Sequence, residues 1–257
     1  MKRLSIIILS LVMTVTAIQA ESFLKSVNNF LKPWRVDVHL GYEIGGTAPI
    51  GMPATIRKLN KFSLTPNLML GLDAHRQIND HWGFLTGIHF ENKGMSIDAQ
   101  VKNYHMEITR EGQTLAGQFT GGVTTDVTAW MFTLPFQATY KVSDKVKLKL
   151  GPYFSYLTNR TFSGYAYNGY LRVGNPTGEK VELGSAEGER GDYDFSEHIR
   201  RFQWGVDLGV DWHVTKRFGA FADLSWGLSG LHQSDFHTVE QTLFPIYGTI
   251  GVSYRIR

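Results

Sequence analysis

The chain has 257 residues, 42% of them hydrophobic and 13% aromatic, with 27 Gly and no Cys. This length and this aromatic and glycine load favour one large β domain, and the lack of Cys excludes disulfides, thiolate metal centres, a Cys nucleophile and a lipid-modified Cys anchor. The formal charge of +3 includes Lys2 and Arg3, in a segment without Asp or Glu that is expected to be removed; the remaining +1 gives no electrostatic basis for nucleic-acid binding.

Residues 1–20 carry a positive start at Lys2 and Arg3, an apolar run from Leu4 to Thr16, and Ala20 before an expected cut ahead of Glu21. This is the pattern of an export signal, too short for a transmembrane helix. Residues 21–34 form an N-terminal periplasmic or interfacial segment. Phe23, Leu24, Val27, Phe30 and Leu31 share one helical face, and Trp34 follows as an interface residue. A disordered lead-in is the alternative.

From residue 35 to 257 the chain alternates with period 2, which puts successive side chains on opposite faces of a strand. The clearest stretch is 202–214, where Phe202, Trp204, Val206, Leu208, Val210, Trp212 and Val214 alternate with Gln203, Gly205, Asp207, Gly209, Asp211 and His213. It is longer than a usual soluble strand and has the length of a tilted membrane strand, roughly 9–11 residues. The pattern recurs over 36–44, 68–75, 82–91, 130–140, 146–156, 218–228 and 246–256. It predicts about eight strands, an even number, as in bacterial barrels. Pro135 and Pro152 remove ladder donors and predict local bulges. Short turns at 78–81, 143–145 and 215–217 alternate with long loops at roughly 46–66, 93–126, 157–201 and 229–244. The prediction is an all-β, transmembrane, antiparallel up-and-down barrel with long extracellular loops and both ends periplasmic. A lipocalin-like soluble barrel would instead keep its apolar face inside.

Leu134-Pro135-Phe136 before Tyr140, then Leu150-Gly151-Pro152-Tyr153-Phe154-Ser155-Tyr156, resemble the PorT-like outer-membrane β-barrel family of Bacteroides-type bacteria. Phe90-Glu91-Asn92-Lys93-Gly94-Met95, Trp226-Gly227-Leu228 and the final Gly251-Val252-Ser253-Tyr254 fit the same pattern over roughly 35–257. The resemblance implies a barrel in the cell outer membrane; the family's namesake assists a secretion machine. The ending Tyr254-Arg255-Ile256-Arg257 departs from the terminal aromatic common in barrels.

The polar face gathers Asp37, Glu43, Asp73, Glu91, Asp207, Asp211 and Asp223 against Lys147, Lys149 and Arg255, with His39, His75, His89 and His213. An eight-stranded barrel is filled by its own side chains, so these groups predict a salt-bridged plug. A proton-linked or metal-binding Asp/His cluster and a narrow pore are the alternatives. No local metal motif and no cofactor motif is present. His232-Gln233-Ser234 is similar to the His-x-Ser of lipid A deacylases. A strand there would bring His232 and Ser234 to one side, but Asp235 departs from the expected Asn and no orienting acid is identified. In the third long loop Phe162, Tyr165, Tyr167 and Tyr170 form a candidate aromatic binding set. Asp192 and Asp194 are weak candidates for Ca²⁺.

The sequence therefore predicts a monomeric, non-enzymatic outer-membrane barrel with a structural or binding role through its loops. Its expected partners are outer-membrane lipid and lipopolysaccharide, and envelope or secretion proteins. The rivals are an accessory barrel of a secretion machine, a small-solute porin and a lipid A deacylase-like hydrolase.

Overall fold

The computed structural model describes residues 33–51, 53–236, 238–239 and 241–256. The expected export signal and residues 21–32 lie outside them. The strands are β1 (Trp34–Pro49), β2 (Ile56–Leu64), β3 (Asn67–Gln77), β4 (Trp82–Arg110), β5 (Gln113–Lys141), β6 (Val146–Val173), β7 (Lys180–Leu183), β8 (Gly191–Asp194), β9 (Phe202–His213), β10 (Phe218–Gly227) and β11 (Leu243–Arg255).

Eight of these close a ring of antiparallel neighbours: β1–β3–β4–β5–β6–β9–β10–β11 and back to β1. Within the belt, closure satisfies the strand edges internally, as hydrocarbon requires. No helix among the described residues is long and apolar enough to cross a membrane. The apolar residues of the alternation face outward and are exposed, among them Leu70, Leu72, Leu150, Leu208, Leu224, Ile250 and Val252. Aromatics rim this belt. Trp82 with Tyr140 and Phe218 with Tyr254 lie toward the short turns, and Phe90 with Trp130 lies toward the long connections.

The structure corrects the reading of the long connections. Residues 93–126 and 157–201 are not mainly loops: β4, β5 and β6 run for 29, 29 and 28 residues and stay paired far beyond the belt. β2 lies within 46–66, and β7 and β8 add to the same wall. The expectation holds best for 229–244, where no strand forms before β11 among the described residues.

The reason is visible along β5. From Tyr140 to Trp130 the outward residues are apolar, and the inward ones include the buried Gln137 and Thr133. Beyond Trp130 the inward residues become Ala129, Val127 and Val123, all buried. The outward residues become Thr128, Asp126 and Thr124. The strand continues while the solvent outside changes from lipid to water, so the polarity of its two faces inverts. Met95, Met106, Ile108, Phe119, Leu157, Leu171, Tyr193, Phe195 and Ile199 complete an ordinary hydrophobic core in this extension.

The predicted proline bulges are absent. Pro135 pairs with Tyr153 and Ala138 with Leu150 in one unbroken register, and the β5–β6 shifts fall at Thr120/Gly122 and Trp130/Met131. Pro152 faces lipid and Pro135 the lumen within the uninterrupted register, so each loses a donor without displacing its neighbours.

Candidate functional site

The lumen is built by the inward residues of all eight ring strands, and two buried lysines organise it. Lys149 Nζ lies 2.9 Å from both Asp211 Oδ1 and Asp223 Oδ1, beside the Phe221 ring. One level higher, Lys93 Nζ lies 2.8 Å from Glu91 Oε2 and 3.5 Å from Glu43 Oε1. The rings of Tyr153 and Tyr247 flank it. Thr133 Oγ1 donates to Glu91 at 3.0 Å and Thr249 Oγ1 to Glu43 at 3.2 Å. Charges this deeply removed from water persist only when paired and hydrogen-bonded in this way.

Between these levels Asp73 bridges His89 Nε2 at 2.8 Å and His39 Nδ1 at 3.1 Å. Asp37 collects Arg35 at 3.0 Å, His75 at 3.4 Å and Arg255 at 3.7 Å. The structure thus brings Asp37, Glu43, Asp73, Glu91, Lys149, Asp211, Asp223 and Arg255 into three adjoining clusters, around Asp37, around Lys93 with Asp73, and around Lys149. One donor atom each from His39, Asp73 and His75 lies within 4.8 Å of the others, a group able to ligate a metal ion.

Two expected members behave differently. Asp207 has no cation partner among the described residues and accepts instead from Gln137 Nε2 at 3.3 Å. Lys147 lies outside the buried network. It lines an open bowl of about 730 Å³ at the short-turn mouth with Arg35, Lys145, His213, Lys216 and Arg255. The sequence reading missed Lys93 and Arg35. The signal for Lys93 is parity: His89, Glu91 and Lys93 continue one face, but the alternation over 82–91 stops two residues short of it.

The aromatic set splits. Phe162 is buried in the extension core against Phe195 and His232. Tyr165, Tyr167 and Tyr170 are partly exposed on β6. Arg190 stacks on Tyr165 at 4.3 Å and Lys180 on Tyr170 at 5.0 Å. Tyr167 Oη donates to Asp98 Oδ2 at 2.6 Å, and its ring occupies the space that a side chain at Gly122 would need. Burial works against ionisation of the Asp98 carboxyl, but hydrogen bonds from Tyr167, Asn60 and Thr124 hold it below the usual range.

The His232/Ser234 pair does not form a dyad. Residues 231–236 form an irregular turn rather than a strand, so the same-side argument fails. His232 Nε2 has no hydrogen-bond partner among the described residues, its ring packs on Phe162 and Phe236, and Ser234 is exposed. Burial, then the neighbouring His198, lowers the His232 pKa to about 4. Asp192 is engaged by Arg190 at 2.8 Å, and Asp194 accepts from the Ser196 backbone at 2.9 Å.

No curated protein matches the chain. Among solved structures, Ail of Yersinia pestis in complex with the heparin analogue sucrose octasulfate is 12% identical, with 87% of this chain and 97% of that one covered and a TM-score of 0.38. Neisserial surface protein A is 11% identical, covering 88% and 98%, with a TM-score of 0.35. CarO2 of Acinetobacter baumannii is 12% identical, covering 86% and 99%, with a TM-score of 0.39. The model of the outer membrane protein beta-barrel domain matches residues 19–233. With its closed ring and lipid-facing belt, the chain belongs to the outer membrane protein beta-barrel domain family and is a protein of the outer membrane.

Proposed function

We propose that the protein is a monomeric, non-conducting and non-enzymatic barrel that works as a surface binding module, with the extension of β4, β5 and β6 as its working part. In this reading residues 1–20 are removed on export and 35–257 form the barrel domain. The carrying observation is the contrast between the two halves. The lumen is filled by charges committed to one another around Lys93 and Lys149. The wall above it rises into a water-facing β structure with its own apolar core. A barrel needs no such superstructure merely to sit in lipid. The resemblance to PorT-like barrels belongs to the same reading, with an envelope or secretion protein as one partner class for the extension.

Purified protein in planar bilayers tests it. No stepwise conductance is expected; steady, reproducible channels would replace this reading with the porin one. Lipid A incubated with the protein is expected to stay fully acylated, and deacylation abolished by Ser234→Ala would restore the hydrolase reading.

A further inference from the structure

The barrel wall is not continuous over its full height. β1 pairs with β3 only as far as Glu43 opposite Asn67; from Ile44 to Pro49 its pairing is with β11 alone. β2 pairs with β4 alone. Above the belt no strand pairing joins these two edges among the described residues, which leaves a seam between β1 and β2.

Behind the seam lies a cavity of about 410 Å³ lined by residues from both edges. That is within the roughly 300–1,000 Å³ of small-molecule sites. Its inner wall is apolar, with Met95, Val101, Met106 and Val123. Its lining also includes Leu59, Phe62 and Ile246, which are 45%, 42% and 37% exposed and so mark the mouth. Ile246 pairs with the exposed Trp226 at the outer end of the belt, which puts the lower rim of the mouth at the outer interface of the bilayer, with Phe62 and Leu59 rising above it.

The local structure of β2 is suited to this position. Register shifts fall between Ile56 and Lys58 and between Leu59 and Lys61. These irregularities replace the two-residue period with three, so Ile56, Leu59 and Phe62 all line the cavity. Gly46 keeps the passage clear, because a Cβ there would lie 2.9 Å from the Met95 sulfur and 3.2 Å from the Phe62 ring. The floor is closed. Beneath Thr47 lies a void of about 20 Å³ shared with Lys93 and Tyr247, and Lys93 already has its two carboxylates. The cavity is therefore a dead end that retains what enters and does not pass it on. Beside the mouth, β2 exposes Arg57, Lys58 and Lys61. Arg57 and Lys58 make no ion pair among the described residues.

We propose that this cavity takes one acyl chain of an anionic outer-leaflet lipid, inserted sideways through the β1–β2 seam, with the lipid phosphate on Arg57, Lys58 and Lys61. This rests on the reading of the extension as a binding element and names its ligand. An apolar dead end excludes a polar solute. A mouth whose lower rim meets the bilayer surface points to a ligand that arrives from the membrane. The cations select its headgroup.

The test reconstitutes the full-length protein in phosphatidylcholine vesicles containing a trace of phosphatidylglycerol with a diazirine at one chain end. After irradiation, adducts are mapped by mass spectrometry. Adducts are expected on Met95, Val101 and Val123, which face inward, as well as on belt residues such as Leu70 and Leu224. Ala99→Phe, which fills the cavity, and Gly46→Leu, which blocks its entrance, are each expected to remove the interior adducts and keep the belt ones. Retained belt labelling shows that the variant is inserted. Arg57→Glu with Lys58→Glu is expected to lower interior labelling by about fivefold per cation. Belt adducts alone in the wild-type protein overturn the proposal. Equal interior labelling by a phosphatidylcholine probe overturns its headgroup part. Dye efflux from the same vesicles is scored separately: a leak contradicts the sealed barrel, whatever the labelling pattern.

Discussion

Lys149 shows how a single residue holds the lumen shut. It is the shared cation of Asp211 and Asp223, with 3% of its side chain exposed. Lys149→Ala leaves two buried carboxylates facing each other and is expected to destabilise the barrel by about 3–5 kcal/mol. Denaturant titration in lipid measures this. Adding Asp211→Asn and Asp223→Asn is expected to restore much of the loss; an equally weak triple variant would show that Lys149 acts through packing instead. The acids of this network were legible because each occupies the polar parity of an apolar strand. Lys93 was not, because Asn92 and Gly94 around it look like a loop until the strand is known to continue.

His232 makes a different prediction. Its pKa is lowered to about 4 from 6.5, by burial and then by His198. Between those values the unfolded chain takes up a proton that the folded turn refuses. Stability of this corner therefore falls as pH drops through that window and levels off below it. Amide protection factors over residues 228–236, with the intrinsic pH dependence of exchange divided out, are expected to fall between pH 7.5 and pH 5, and His232→Phe, which keeps the ring against Phe162 and Phe236, is expected to flatten the change. Asp98 has the same sign of pH dependence, in a lower pH range. Its lowered folded pKa gives stability that is present above the ordinary value of 3.8 and lost as pH falls through the folded value.

At the scale of the element, the inversion along β4 and β5 is the feature to test. Phe136 and Thr128 lie on the same outward face of β5, eight residues apart. A lysine at a belt position near mid-membrane costs about 2–4 kcal/mol, whereas a lysine facing water costs little. Phe136→Lys is thus expected to impair folding into vesicles, and Thr128→Lys to fold like the wild type, both read from the heat-shifted band on gels. Equal effects would place the extension in lipid. The belt strands could be read from sequence because lipid and lumen differ so strongly in what they admit. The extension could not, because the same alternation continues with its sign reversed. In β6 the shift opposite Trp130 and Met131 also changes which residues are inward. β2 concealed itself by a three-residue apolar spacing that fits neither strand nor helix.

At the scale of the whole molecule, the strands lengthen on one side of the membrane only. Its tips are turns such as Glu111-Gly112, with φ of 50° and 77°, and Gly188, with φ of 90°. A Glu-specific protease added to intact cells is expected to cut first at the exposed Glu187 and Glu189, and to spare Glu107 within paired β4. Rapid cleavage at Glu107 would mean that the extension is loose in the cell.

The inversion at Trp130 also fixes how deep the protein sits. Ten steps separate Trp130 from Tyr140, which at about 3.4 Å each and a tilt of about 40° spans about 26 Å, matching a band about 25 Å tall. Sinking by four residues would draw Thr128 and Asp126 down to the hydrocarbon band; rising by four would strand Phe132 in water. The molecule floats at a single waterline, and whatever docks on its upper works meets them at a constant height.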